Sequence, residues 1–211
     1  MRNVAPLLLG VGALGLVFLA SKTADAEADY DADLDLAEPV LPRTGQVMGP
    51  IAEGNANDPE IADLHRQIDD YFRQLGVDDL ATAEMVTFLP KATEIDYAIP
   101  PPEYWQNMAY TLEVLRRTGL DLKNDVEIRG YRPPWYNKAV GGASGSTHQW
   151  FSAIDLLPRR VGVRRLHDEA RKLWRNHRNE DDLGVGMYRG NIHVDARRGR
   201  PAKWGSKKDL L

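Results

Sequence analysis

Residues 129–155 read RGYRPPWYNKAVGGASGSTHQWFSAID, a stretch that joins an Arg, a glycine-rich turn, a His and an Asp. Just ahead, Val126-Glu127-Ile128 reads as a short strand, while Pro133-Pro134 and Gly141-Gly142 break regular structure behind it, so the polar residues here are expected on loops. Ser152 to Leu157 reads as a mostly buried strand carrying one carboxylate, Asp155, in an apolar run. An unpaired ionised Asp there is costly, and a metal ion or another cation removes that cost. His148 stands seven residues before Asp155, a separation that suits two ligands of one metal. Neutral imidazole and carboxylate are a common zinc pair.

A third ligand comes from near the end of the chain. Gly184-Val185-Gly186-Met187-Tyr188 and Asn191-Ile192-His193-Val194-Asp195 read as two short strands joined by a turn at Arg189-Gly190. Alternate strand residues share a face, so Asn191, His193 and Asp195 point one way and Ile192 and Val194 point into the core.

The run GYRxxxYNxxVGGAxxSxH over Gly130 to His148, the following Ala-x-Asp, and GVGMYRGNIHVD together resemble the M15-class zinc peptidases. These are the D-Ala-D-Ala carboxypeptidases and L-alanyl-D-glutamate endopeptidases that cut peptidoglycan stem peptides. The resemblance spans roughly Met85 to Trp204, and its motifs in this order are more specific than any one alone. It implies zinc held by His148, Asp155 and His193, with Arg132 binding a substrate carboxylate or the developing oxyanion. Ser146 would support the site; Tyr136 and Asn137 would lie on the substrate side, although Trp135 and Tyr136 equally suit packing of the loop. Two positions depart from the pattern. Phe151 stands where the family usually has Gly, and Gly190 and Asn191 stand where relatives carry a Glu or His as general base. Asp195 is the carboxylate left on that strand face, either as the base or as a partner orienting His193.

The totals bound the rest. With 211 residues, 43% hydrophobic and 27% charged, the chain is long enough for one core. A net charge of −4 argues against nucleic acid as the main partner. Zero cysteines exclude disulfides, thiolate zinc ligation and a lipoprotein anchor. Met1-Arg2-Asn3, the apolar run over residues 4–20 and Ala24-Asp25-Ala26 have the parts of a signal peptide, or of an uncleaved signal anchor tethering the protein to a membrane. Export to the periplasm or cell envelope is expected. Residues 27–57 continue as an acidic and then Pro/Gly-rich linker whose composition reads as disordered.

Helical signals complete the picture. Asp58-Pro59 starts a helix with Ile61, Leu64, Ile68, Phe72 and Leu75 on its stripe, ended by Gly76. A weak helical stretch runs over Thr82 to Leu89; Trp105, Met108, Leu112 and Leu115 mark another helix, closed by Gly119. After Pro158, Val163, Leu166, Ala170, Leu173 and Trp174 form the apolar side of an Arg-rich helix, read as a solvated face or as an attraction for anionic wall polymer. Arg197, Arg198, Arg200, Lys203, Lys207 and Lys208 make a basic tail, with Trp204 docking on the core. The expected fold is a single α+β domain, residues 58–211, with a small central antiparallel sheet flanked by helices. The expected activity is zinc-dependent hydrolysis of peptidoglycan stem peptides; the alternative is a non-catalytic zinc-containing cell-wall-binding or assembly module.

Overall fold

In the computed structural model, residues 50–92, 94–179, 183–197 and 201–205 are described. The expected signal or anchor segment, the linker as far as residue 49 and parts of the basic tail lie outside the described residues. Along the chain come β1 (Ala52–Gly54), α1 (Pro59–Gln74), α2 (Ala83–Thr87), β2 (Tyr97–Ile99), α3 (Trp105–Arg116), β3 (Val126–Arg129), α4 (Pro134–Ala139), β4 (Ala153–Pro158), α5 (Val163–His177), β5 (Leu183–Met187), β6 (Ile192–Ala196) and β7 (Ala202–Gly205). Among these described residues no helix is long and apolar enough to cross a membrane.

Several elements follow directly from local chemistry. The Asp58 side chain accepts from Glu60 N at 3.0 Å, and Pro59 fills a first-turn position whose N–H would have no partner, so α1 starts there. Gly76 and Gly119 end their helices in the left-handed region that glycine adopts without strain. Two elements differ from the sequence expectation. Regular structure begins ahead of Asp58, because β1 pairs antiparallel with β2. A three-residue strand has no periodicity to read, and only its distant partner defines it. Pro133-Pro134 also does not end regular structure; Pro134 opens α4, since a proline is favourable at a first helical position.

The central sheet has the order β3-β4-β6-β5-β7. Its first four strands are antiparallel as expected, and β7 adds a parallel pair alongside β5. The geometry explains the exception. β6 ends where β5 begins, with Ala196 opposite Leu183, so the chain reaches β7 by stepping across one strand end.

Cross-strand partners share a face, which sorts the sheet into two surfaces. Ile128, Leu156, Ile192 and Met187 form one row, and Ile154, Val194 and Val185 the next. All of these belong to the core, together with Met108, Leu112 and Leu115 of α3 and Leu166, Ala170 and Leu173 of α5. The opposite face carries the row Arg129, Asp155, His193, Gly186, Trp204, followed by Ala153, Asp195, Gly184, Ala202. One surface is hydrocarbon; the other places titratable groups beside glycines.

Candidate metal centre

Asp155 and His193 are direct partners across β4 and β6, so pairing alone brings the carboxylate and the imidazole together. His193 Nδ1 lies 2.9 Å from Asp155 Oδ1. His148 enters on a 3-10 turn, Thr147–Trp150, with Nε2 at 3.2 Å from both Asp155 Oδ1 and His193 Nδ1. All three residues are buried, and one ligand atom from each lies within 4.8 Å of the others.

The loop that carries His148 is braced on every side. Asn137 Nδ2 donates to Ala143 O at 2.8 Å, Gln149 Nε2 to Ser144 O at 2.8 Å, Ser152 Oγ to Thr147 O at 3.1 Å, and Asn107 Nδ2 to Trp150 O at 2.9 Å. Asn137, expected on the substrate side, is thus buried in the loop's own support. Phe151 closes the turn at φ +55, the conformation that glycine usually supplies. Its ring is fully buried and meets Tyr131 edge-to-face at 5.9 Å between centroids, so packing holds a backbone geometry that sterics disfavour. Gly130 also leaves no room for a side chain, since a Cβ there would lie 2.4 Å from Val86 O.

The second nitrogen of each histidine is engaged. His148 Nδ1–H donates to Gly130 O at 2.5 Å, leaving Nε2 facing the cluster. His193 Nε2–H donates to Asp195 Oδ2 at 2.9 Å, leaving Nδ1 facing Asp155. Such outer partners set the tautomer and ring orientation of metal-binding histidines. A set of two imidazoles and one carboxylate, each turning one donor atom toward a common point, fits a divalent metal.

Electrostatics follow from these contacts. Burial works against the charge on Asp155 but is outweighed by His148, Arg132 and the histidine hydrogen bonds, so its carboxyl is held well below the usual range. Burial likewise opposes ionisation of Asp195, yet the bonds from Arg197 and His193 hold it low. His148 is lowered by burial and by Arg132. For His193, burial pulls down while hydrogen bonds to Asp155 and Asp195 prevail, raising it to about 9.

Arg132, half-way into the protein, pairs through its guanidinium with Asp155 Oδ2. Tyr136 is buried on α4 with its ring against Trp135, and Ser146 precedes the 3-10 turn, half-buried. Asp195 is 0% exposed, with Arg197 Nε at 2.8 Å from Oδ1, Arg197 Nη2 at 2.9 Å from Oδ2, and Thr147 Oγ1 at 3.3 Å from Oδ2. Of the two roles open to it, a carboxylate with both oxygens occupied suits orientation of His193 better than proton uptake. Sequence reasoning missed Arg197, Thr147 and Trp204 as neighbours of the site. For Arg197 and Trp204 the available signal is the pair Gly184 and Gly186 on one strand face, since glycines in a strand mark close approach; for Thr147 there is none.

A family profile described as peptidase M15 matches residues 83–195, more than half of the chain and the whole span from α2 to Asp195. No curated protein and no solved structure matches the chain.

Proposed function

Because the chain belongs to the peptidase M15 family, whose members are metallopeptidases, we propose that it is a zinc-dependent peptidase acting on the stem peptides of peptidoglycan. The observation that carries this reading is the convergence of His148 Nε2, Asp155 Oδ1 and His193 Nδ1, with the other nitrogen of each histidine already bonded. With no cysteine in the chain, a nitrogen and oxygen donor set is the one available, and zinc suits it. Bound there, the metal supplies Lewis acidity toward a peptide carbonyl and acidifies water.

The chain's own residues do the rest. Asp155 and the two histidines would hold the metal. Arg132, beside Asp155, offers a planar cation for a peptide's terminal carboxylate or for the oxyanion that develops on the attacked carbonyl. A terminal carboxylate as the recognised group favours carboxypeptidase cleavage at D-Ala-D-Ala. Asp195 keeps His193 oriented. Export, with residues 4–20 as signal or membrane tether, would bring the domain to this substrate.

The test is digestion of purified peptidoglycan by the full chain with stoichiometric zinc, read by mass spectrometry beside His148→Ala. Release of D-Ala or cleavage within the stem, lost in the variant, supports the reading, and the bond cut names the subtype. A second reading, a non-catalytic zinc-containing wall-binding module, is favoured by one observation. The positions where relatives carry a base hold Gly190, exposed in the β5–β6 turn, and Asn191. Tight zinc binding with no bond cut would select it.

A further inference from the structure

His193 and Asp195 lie on the sheet face that carries the candidate metal centre, and Arg197, just past the end of β6, follows at the same spacing of two. The middle residue decides how the first is held. A lone carboxylate beside His193 can rotate about its Cβ–Cγ bond and lose its alignment with Nε2–H. Here the guanidinium of Arg197 takes both oxygens at once, at 2.8 Å and 2.9 Å. Two parallel bonds fix the carboxylate plane as well as its charge.

The neighbouring strand is built around this contact. A Cβ on Gly184 would lie 2.5 Å from both Asp195 oxygens and 2.7 Å from Arg197 Nε, so only glycine leaves the space. Across β5, a Cβ on Gly186 would lie 2.6 Å from Trp204 Nε1. The Trp204 ring that fills that space is 5.3 Å from the His193 ring and 5.0 Å from the Arg197 guanidinium carbon. Its own N–H donates to Tyr188 OH at 2.6 Å, which fixes the ring plane. Thr147 Oγ1 lies 3.3 Å from the same Asp195 oxygen, so the carboxylate also touches the residue next to His148. Arg197 and Trp204 both lie past the end of the matched family region, at residue 195.

We propose that Arg197, with Trp204 packed beside it, is a positioning residue of the metal centre: it fixes Asp195 as the acceptor for His193 Nε2–H and thereby keeps His193 Nδ1 turned toward Asp155 and His148. The inference rests on the metal-centre reading of the site. It differs from simple neutralisation of a buried carboxylate, because a point charge neutralises while a planar fork also orients.

The experiment measures zinc affinity of the full chain by competition with a chromogenic chelator, and the visible absorption of its cobalt-substituted form, for the unaltered protein, Asp195→Asn, Arg197→Met and Arg197→Lys. Loss of an outer partner of a metal-bound histidine weakens metal binding by ~10–100-fold. Arg197→Met is expected in that range, and Arg197→Lys, which keeps the charge and loses the fork, about 10-fold weaker than the unaltered chain with a changed cobalt band. If Arg197→Met does not fold, Arg197→Lys carries the test alone. Zinc affinity within twofold of the unaltered chain and an unchanged cobalt band in Arg197→Lys would overturn the orienting role, even where Asp195→Asn binds weakly. Failure of the unaltered chain to take up either metal overturns the metal-centre reading itself, and the inference with it.

Discussion

His193 Nδ1 lies 2.9 Å from Asp155 Oδ1, across the very pair of strand positions that align the two residues in the sheet. The centre is therefore as rigid as the β4–β6 ladder. A proton bridges the two side chains, and a metal bound at the proposed centre would compete with it for that nitrogen.

That competition predicts how stability depends on pH. The folded-state pKa of His193 is raised from 6.5 to about 9, so its contribution is fully present below pH 6.5 and is lost as pH rises through about 9. His148 is lowered, so its contribution is present above pH 6.5 and is lost as pH falls through its depressed value. Asp155 and Asp195, both depressed, add a further loss in acid. Metal-free protein should be most stable near pH 6.5. Calorimetry in chelator should show the melting temperature falling from pH 6.5 to 9, while the stabilisation gained on adding zinc grows over the same interval. A metal-free melting temperature that is flat from pH 6.5 to 9 would count against the His193 assignment.

Gly184 and Gly186 should not tolerate alanine. The new methyl would lie 2.5 Å from the Asp195 carboxylate oxygens in one case and 2.6 Å from the Trp204 indole nitrogen in the other. Overpacking of this kind costs about 1–3 kcal/mol. Gly190→Ala, whose Cβ meets nothing within 4 Å, is the matched control and should stay within about 0.5 kcal/mol. Urea denaturation of the three variants decides it; equal stabilities would mean that the crowding on this face is absent.

Phe151→Gly sets two effects against each other. It restores the residue that relatives usually carry and relieves a left-handed backbone worth roughly 1–2 kcal/mol, but removes a fully buried aromatic side chain worth about 3–5 kcal/mol. The packing term wins. The variant should be destabilised by about 2–3 kcal/mol in chemical denaturation, with zinc affinity little changed because the Phe151 N–H bond to His148 O, which ties the turn to this ligand, is a backbone bond that glycine keeps. A stabilised variant would show that the strain outweighs the packing.

How much of this was legible in the sequence varies by distance along the chain. His148, Asp155 and His193 stood out because motif spacing and strand alternation are local patterns, and alternation also separated His193 and Asp195 from Ile192 and Val194. Arg197 read as the start of a basic tail, since nothing local distinguishes a buried guanidinium from a solvated one. Trp204 reaches His193 by parallel pairing of β7 across β5, a contact that no periodicity within either strand encodes. β1 was hidden for the same reason, and α4 was hidden because paired prolines signal a helix start as readily as a break.

Gly190→Glu asks whether the centre lacks only a base. Position 190 precedes His193 by three residues, where many relatives carry Glu, and here it sits exposed in a turn with open space around its missing side chain. A carboxylate introduced there has room to be accommodated without displacing Asp155, Asp195 or Arg132, all of which are already paired. A positioned general base contributes about 10²–10⁴-fold to proton transfer. If the native chain is slow for want of one, Gly190→Glu should raise kcat on a D-Ala-D-Ala peptide by about 10²-fold with zinc content unchanged, and add an acid limb to the pH–rate profile. An unchanged kcat in a variant that folds and binds zinc would mean that another group already takes the proton, and would remove the main reason for regarding the domain as a wall-binding module.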